Sequence, residues 1–372
     1  MNKTSSMSSP NQLVLLVGTQ KGLFRISTEL NRNAWNLEGP LIAGYEILHA
    51  WMDPRMPQHA YATANHPIWG CHIYRSHDAG HSWEVLPHVP HHRQGLYAQS
   101  LKAIWYLAPG HPTQEKVLYA GIDPPGLFIS QDDGHHWTPL PGLNEHPSRD
   151  RWEPARGGFA VHSIYIDPRT PHRLYCAVSA GGVFRSEDAG TSWIPINRGV
   201  RAENLPQRYP DVGHNVHRMV LHPKQPDRLY RQCYNGTYRS DDRGNHWIEI
   251  SQGLPSDFGY VIVVNPQDPD MVYVIPEQSS HLRTTVDGKL RVYRSSNGGA
   301  DWEPLTHGLP QEHAYVTVLR EAMDCDGLSP NGVYFGTSSG HLFGSHDNGE
   351  HWELIAGFLP RILSVKTAVV ET

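Results

Sequence analysis

One eight-residue motif recurs six times along this chain and constrains the fold more than any other feature. The motif has the form Ser-x-Asp-x-Gly-x-x-Trp, with Asn in place of Asp in the fifth copy. The copies begin at Ser76, Ser130, Ser186, Ser240, Ser295 and Ser345. Successive copies are 54, 56, 54, 55 and 50 residues apart, so the chain is a series of repeated structural units.

Each copy of the motif is predicted to form a tight hairpin turn. The short Ser and Asp side chains can accept hydrogen bonds from backbone N–H groups one or two residues later, and Gly tolerates a positive φ. The Trp then anchors the following strand in the core. The motif therefore has a structural explanation that requires no role in chemistry.

Three strand signals precede the motif in most units. A short apolar segment leads into it, as in residues 126–130, and a segment centred on Tyr lies before that, as in residues 117–120. An apolar strand that ends at a Pro turn comes first, as in residues 162–168. Four short strands per unit describe one blade of a β-propeller.

The two ends of the chain complete the count of blades. Residues 13–36 match the second, third and fourth strands of a blade that lacks the motif, and residues 361–370 match its first strand. We therefore predict an all-β fold, a seven-bladed propeller closed by the C-terminal strand beside the N-terminal blade. Residues 12–372 are expected to form one domain, after a disordered tail at residues 1–11.

Composition agrees with this fold and narrows the classes of function. The 34 Gly and 30 Pro among 372 residues favour tight turns over long helices. A net charge of −6 without a basic run argues against partners such as nucleic acid or a membrane surface. The apolar run at residues 13–17 is too short for a signal segment, and four cysteines without a CxxC pair suggest reduced thiols. We expect a cytoplasmic protein.

With these motifs, the chain resembles BNR/Asp-box repeat proteins of the sialidase-like (glycosyl hydrolase-like) seven-bladed β-propeller superfamily. The resemblance covers nearly the whole chain but is specific for fold only. Such propellers include sialidases, xyloglucan-cleaving glycosidases, sorting-receptor ectodomains and photosystem assembly factors. The resemblance implies that the motifs, called Asp boxes, lie on the face opposite the active site and are not catalytic.

A second similarity concerns Arg25. The segment Phe24-Arg25-Ile26-Ser27 is similar to the Phe-Arg-Ile-Pro segment of true sialidases, whose Arg binds the substrate carboxylate, but Pro is missing here. The same register holds an Arg before the Asp box in four other blades, at Arg75, Arg185, Arg239 and Arg294. We therefore interpret Arg25 as structural.

The loops on the face opposite the Asp boxes, called the top face below, are the expected location of a site. Long loops on a rigid scaffold are usually functional or mobile. The candidates are residues 84–99, 138–158 and 194–213, together with the insertion 276–290, which contains Glu277, His281, Arg283 and Asp287.

Histidines on the inner strands suggest a metal site in the central channel. His162 and His217 each lie six residues before the Pro that ends their strand, and His49 is one position off. Three neutral imidazoles with a carboxylate could hold a divalent metal, and one imidazole could act as a general base. The alternative is that each is a buried, hydrogen-bonded structural residue. A divalent metal held by His49, His162 and His217 is the only cofactor expected.

Two hypotheses for function remain. The first is an enzyme, a hydrolase or β-eliminating lyase, that acts on a small polar or carbohydrate-like substrate in a top-face central pocket. Glu153 would be its acid and His162 or His217 its base. Its substrate-binding residues would be Trp152, Arg156, Tyr209, Tyr315, Arg320 and Lys102, with Arg156 and Arg320 orienting an anionic group. The second hypothesis is a non-catalytic scaffold that binds a protein partner or assembly client.

Overall fold

Seven four-stranded antiparallel sheets surround a central channel in the computed structural model, which describes residues 11–92, 100–154 and 158–371. Only Asn11 of the predicted tail belongs to the described residues. None of the helices in these ranges is both long and apolar enough to span a lipid bilayer.

Blade 1 combines both ends of the described chain. It contains β1 (Gln12–Thr19), β2 (Gly22–Glu29), β3 (Asn36–Leu41) and, as its innermost strand, β28 (Ile362–Val370). The antiparallel pairing of β1 with β28 runs from Gln12 opposite Val370 to Thr19 opposite Ile362. The predicted closure by the C-terminal strand is confirmed.

The other six blades follow in chain order, each with its first strand innermost. Blade 2 contains β4 (Ala50–Met52), β5 (Ala60–His66), β6 (Gly70–Ser76) and β7 (Glu84–Val85). Blade 3 contains β8 (Ala103–Pro109), β9 (Leu118–Asp123), β10 (Gly126–Ser130) and β11 (Thr138–Pro139). Blade 4 contains β12 (Val161–Ile166), β13 (Leu174–Val178), β14 (Gly182–Ser186) and β15 (Ile194–Pro195).

Blades 5 to 7 repeat the same arrangement. Blade 5 contains β16 (Val216–Leu221), β17 (Leu229–Cys233), β18 (Thr237–Ser240) and β19 (Ile248–Glu249). Blade 6 contains β20 (Gly259–Val264), β21 (Val272–Pro276), β22 (Val292–Ser295) and β23 (Glu303–Leu305). Blade 7 contains β24 (Met323–Cys325), β25 (Val333–Gly336), β26 (Leu342–Ser345) and β27 (Glu353–Ala356). Short helical turns occur at α1 (Pro141–Asn144), Arg149–Arg151 and Val286–Gly288.

All six repeated motifs form the same turn between the third and fourth strands of a blade. In the third copy, Ser186 Oγ donates to Asp188 (2.8 Å) and accepts the N–H of Gly190 (2.8 Å), while Asp188 Oδ1 accepts the N–H of Ser192 (2.8 Å). The other five copies make the same three contacts. Ala189 and Gly190 both have positive φ, 57° and 89°, which explains the Gly at this position.

The arginines that precede these turns connect neighbouring blades. Arg25 is 1% exposed and its Nε donates to the carbonyl of Ala79 (2.9 Å), inside the turn of the next blade. Arg185, Arg239 and Arg294 likewise donate to carbonyls in the next blade's turn, and Arg75 pairs with Asp133 there. The interpretation of Arg25 as a structural residue is confirmed.

The core lies between the blades, and the inner strands of blades 3 to 6 are irregular near the top of the channel. The Tyr that marks each second strand is buried, as the complete exclusion of Tyr61, Tyr175 and Tyr273 from solvent illustrates. Register shifts occur in β8, β12, β16 and β20. At such a bulge one residue has no partner on the neighbouring strand, so its side chain departs from the regular alternation between the two faces of the sheet. Trp105 of β8 and His217 of β16 are the unpaired residues of their bulges.

Candidate functional site

A cavity of about 400 Å³ with five charged side chains in its wall lies at the top mouth of the channel. It is bounded by loops and inner strands from several blades, so the closed ring brings together residues that are far apart in sequence. Three arginines, Arg283, Arg320 and Arg361, line it together with two glutamates, Glu46 and Glu321. The remaining lining residues are Gln20, Leu48, Trp105, Gly158, Tyr260, Leu319 and Leu363.

Arg320 reaches across the channel from the loop that precedes β24. Its guanidinium carbon lies 5.4 Å from the ring centre of Trp105 in blade 3, and its Nη1 lies 3.4 Å from Ser179 Oγ in blade 4. Burial lowers the pKa of Arg320 to about 10, which leaves it a cation at neutral pH. The stacking and the hydrogen bond hold this cation on the cavity wall.

Arg283 belongs to the loop of blade 6 between β21 and β22, residues 277–291, which contains most of the predicted insertion 276–290. Its guanidinium carbon lies 5.9 Å from the ring centre of Phe258 and 6.0 Å from that of Tyr260. Its Nε donates to the carbonyl of Ser280 (3.0 Å). These contacts, together with a side-chain hydrogen bond to Tyr260, hold Arg283 on the cavity wall, and a guanidinium in this position suits the recognition of an anion.

Glu277 begins the same loop and is a buried acid. The residue is 1% exposed, and Thr317 is the neighbouring hydroxyl, although neither carboxyl oxygen makes a hydrogen bond of regular geometry within the described ranges. Burial raises the pKa of Glu277 to about 8, although Thr317, Arg283 and Arg361 oppose the shift. Glu277 therefore carries its proton at neutral pH, next to two arginines of the cavity.

Glu321 has the opposite protonation state and forms the floor of the cavity. Burial alone would raise its pKa, but Arg218 and Lys366 hold the pKa well below the ordinary value. Glu321 Oε2 lies 2.9 Å from Lys366 Nζ and 3.8 Å from Arg218 Nη1. This charged group closes the channel below the cavity.

The three inner-strand histidines are buried and engage the next blade. His162 Nε2 lies 3.2 Å from the carbonyl of Val216, His217 Nδ1 lies 2.6 Å from that of Gly259, and His49 stacks on Tyr106. Burial lowers the pKa of each to about 3. Across the described ranges, no three His, Cys, Asp or Glu side chains form a group that could hold a metal ion. The structure thus does not bring these histidines together as ligands.

Glu153 and Trp152 lie away from the central cavity. Trp152 is 4% exposed, packs in the core of blade 4 and donates from Nε1 to Ser148 Oγ (3.0 Å), so it offers no open ring face. Glu153 is exposed on a separate top-face cleft of about 700 Å³ between residues 150–154 and 204–215. The described contacts join Glu153 to neither His162 nor His217.

The other predicted substrate-binding residues fall into two groups, inside and outside the lining of the central cavity. Arg320 lines the central cavity, whereas the described lining of that cavity does not include Lys102, Tyr209 or Tyr315. Tyr209 and Tyr315 are exposed on top-face loops, at 60% and 68%. Arg156 lies outside the described residues.

Sequence reasoning did not identify Trp105, Tyr260, Gln20 or Arg361 as site residues. Gln20 and Arg361 lie at the seam of the ring, where the N–H of Gln20 donates to the carbonyl of Arg361 (3.1 Å). The repeated sequence pattern is weakest at this seam, so no repeated position identified Gln20 or Arg361 as a site residue. Trp105 and Tyr260 are turned by bulges, which a regular strand pattern does not reveal.

Comparisons of sequence place the chain near polysaccharide-degrading enzymes without assigning a family. No family model matches. The xyloglucanase Xgh74A of Acetivibrio thermocellus is 26% identical over 226 residues, covering 52% of this chain and 24% of that protein. A probable oligoxyloglucan-reducing end-specific xyloglucanase of Neosartorya fischeri is 23% identical over 206 residues, covering 53% and 23%. The chain thus spans about a quarter of the length of these relatives.

Comparisons of structure agree on the fold. The GH74 enzyme of Niastella koreensis superposes with a TM-score of 0.65 at 17% identity, covering 95% of this chain and 55% of that one. YCF48 bound to a D1 peptide superposes with a TM-score of 0.52 at 14% identity, covering 83% and 82%. The protein is therefore a seven-bladed β-propeller similar in fold to GH74 xyloglucanases and to YCF48.

Proposed function

We propose that the protein is a carbohydrate-active enzyme that cleaves a saccharide carrying an anionic group, bound at the top mouth of the channel. The observation that carries the proposal is the convergence of Arg283, Arg320 and Arg361 on one cavity. Guanidinium groups bind carboxylates in a bidentate manner, which favours a uronic or other acidic sugar. Similarity to xyloglucanases supports a saccharide as the substrate class.

The wall of the cavity and the buried acid Glu277, which lies beside Arg283 and Arg361 but outside the described lining, supply groups suited to bond cleavage. Glycoside hydrolases use one carboxylic acid as a proton donor and one carboxylate as a base or nucleophile. Glu277 holds its proton at neutral pH and is assigned the acid, because a raised pKa is what such a donor needs. Glu46, exposed on the cavity wall, is the carboxylate that can face the substrate, since Glu321 is paired with Lys366.

In this assignment the arginines neutralise the anionic group, with Arg320 held in place over the ring of Trp105. The same neutralisation would assist β-elimination next to a carboxylate, because it stabilises the charge that develops when the α-proton is removed. Hydrolysis and elimination differ in their products: only elimination leaves an unsaturated sugar that absorbs ultraviolet light. The reaction type is therefore read directly from the product.

The test is a turnover screen of acidic oligosaccharides against neutral xyloglucan oligosaccharides, followed by Arg361→Gln. Arg361 is exposed, so the substitution should leave the fold intact. We expect kcat/KM for the acidic substrate to fall about tenfold or more, as for the loss of a charge-assisted hydrogen bond. Arg208→Gln, at another exposed top-face position, is the matched control and should be neutral.

Two outcomes would overturn the proposal. One is equal or better turnover of neutral oligosaccharides, and the other is an unchanged kcat/KM in the Arg361→Gln variant. Absence of turnover for every saccharide would favour the second hypothesis, a scaffold.

One observation favours that scaffold. Large apolar side chains are exposed on the top-face loops, with Phe358 at 97%, Ile68 at 80% and Trp69 at 62%. Exposed aromatic residues are typical of surfaces that bind protein partners. The alternative function is therefore a non-catalytic propeller that binds a protein partner through this face, and the similarity in fold to YCF48 bound to a peptide is compatible with it.

A further inference from the structure

A second cavity, of about 430 Å³, lies at the bottom mouth of the same channel and differs from the top one in chemistry. Five prolines from the turns that follow the inner strands form part of its wall. Apolar side chains, including Leu107, Ile164, Ile166 and Leu221, form most of the remainder. This size is within the range of small-molecule sites, which are typically apolar with a few polar groups.

Two of the polar groups in this cavity are buried donors without a partner. Trp51 is 7% exposed and its Nε1 has no hydrogen-bond partner among the described residues, and the same holds for Nε2 of His49, which is 2% exposed. The Nδ1 of His49 accepts the N–H of Leu107 (3.5 Å), so the neutral imidazole carries its proton on Nε2. Both nitrogens are therefore donors that lack an acceptor.

Lys366 adds a cation to the same cavity, and its counter-charge, Glu321, is shared with Arg218, so one positive charge of the cluster is left over. One of its three N–H groups is directed to Glu321, at a distance of 2.9 Å between Nζ and Oε2. The ammonium group has two further donors. The other cationic residue of the described lining, Arg55, is already paired with Asp53, and that lining contains no acidic side chain.

We propose that the bottom mouth of the channel binds a small carboxylic acid with an apolar body, with its carboxylate directed to Trp51 Nε1, His49 Nε2 and Lys366 Nζ. An unsatisfied buried donor costs free energy that an acceptor would recover. A carboxylate supplies several acceptor sites and the charge that complements Lys366. The apolar body of the ligand packs against the apolar wall, because this contact removes apolar surface of both from water.

Octanoate is the probe, and octan-1-ol is the same chain without the charge. Calorimetric titration of the full-length protein should give one saturable site for octanoate and at least about tenfold weaker binding of octan-1-ol, the ratio expected for a charge-assisted hydrogen bond. Trp51→Phe keeps the ring but removes the donor. Because Trp51 Nε1 has no partner in the free protein, this variant should fold normally and bind octanoate about tenfold more weakly.

A blocking variant locates the site independently. Ile166→Trp fills the cavity from a half-buried position and should abolish octanoate binding. Ile194→Trp is its control in the same blade, on the outer strand, where the residue is 49% exposed, and should bind as the parent does. Thermal unfolding of both variants checks that they fold.

Three results would overturn the proposal. They are the absence of saturable octanoate binding, equal binding of octanoate and octan-1-ol, and unchanged binding in both Trp51→Phe and Ile166→Trp. The first two contradict the carboxylate, and the third contradicts the location. Should Ile166→Trp fail to fold, the comparison of Trp51→Phe with the parent decides alone.

Discussion

The two mouths of the channel are built from the same seven inner strands, yet they present opposite chemistries. The top mouth contains three arginines, two glutamates and the protonated Glu277 beside them, whereas prolines and aliphatic residues dominate the bottom mouth. Long loops and the bulged ends of the inner strands form the top mouth. Short turns that repeat from blade to blade form the bottom mouth. The repeated turns thus stabilise the bottom face, whereas the loops of the top face can vary in sequence and length.

The floor between the two mouths is a charged cluster in which Glu321 lies between Lys366 and Arg218. Glu321 lines the top cavity and Lys366 lines the bottom one, and their side chains meet at 2.9 Å. A ligand that moves the Lys366 ammonium group toward the bottom mouth would weaken its ion pair with Glu321. By linkage, an anion bound at either mouth should change affinity at the other by an equal factor.

Breaking this floor should have the largest effect on stability. Glu321→Gln leaves Lys366 and Arg218 buried without their counter-charge, and we expect a loss of about 3–5 kcal/mol in the free energy of unfolding. Urea denaturation measures it. Glu303→Gln removes an exposed partner of Arg294 and should cost less than about 1 kcal/mol. Equal losses in the two variants would show that the floor is not a special interaction.

The pH dependence of stability isolates Glu277 at the top mouth. Its folded pKa of about 8 exceeds the ordinary 4.5, so between these values the folded state keeps a proton that the unfolded state has released. The contribution of Glu277 to stability should therefore fall as the pH rises through this window, by up to about 1.4 kcal/mol per pH unit. This contribution is the difference between the parent and Glu277→Gln, because the buried histidines, whose pKa values are lowered to about 3, make an opposite contribution below about pH 6.5. The total is roughly 2–4 kcal/mol between about pH 5 and about pH 8.

Glu277→Gln should remove most of this decline, because glutamine has no proton to lose. Urea denaturation of the parent and the variant at both pH values provides the measurement. Glu312→Gln, at an exposed position, is the control and should keep the parent's profile. An identical decline in the Glu277→Gln variant would contradict the assignment of a protonated Glu277.

The smallest effect is expected in a single bottom-face turn. Ser186→Ala removes the hydroxyl that bonds Asp188 and the N–H of Gly190, and should lower the free energy of unfolding by about 1–2 kcal/mol. Ser192→Ala removes only the exposed hydrogen bond from the Ser192 hydroxyl to Asp188 (2.6 Å) and should cost less, about 0.5–1 kcal/mol. Thermal unfolding compares them. Neither variant should alter turnover of the acidic saccharide that we propose as substrate, and a large change would contradict the separation of the two faces.

The sequence predicted the fold because the fold repeats. Each copy of the repeated motif fixes a turn by local contacts, and the recurring Tyr of the second strand is buried in blades 2 to 7, as Tyr175 and Tyr273 illustrate. The strand at residues 361–370 was recognisable as the missing inner strand of blade 1 for the same reason. Local signals that repeat at a fixed spacing need no knowledge of tertiary structure.

The site was less predictable because the residues that form it depart from the repeat. A bulge makes His217 the extra residue of β16, and its ring contacts the next blade. Trp152 follows a short helical turn that packs it into the core. Arg283 and Glu277 were noted only as members of a long insertion. Their convergence with Arg320 and Arg361 depends on the closure of the ring, which no local pattern records.

The closing strand also has a consequence for how the protein is made. During synthesis β1 leaves the ribosome long before β28, its partner along the entire length of the strand. One edge of β1, with its row of backbone N–H and C=O groups, therefore waits unpaired while six blades are completed, and such an edge is prone to pair with another chain. Until β28 arrives, neither Arg361 nor Lys366 is in place, so both ends of the channel are finished in the same final step.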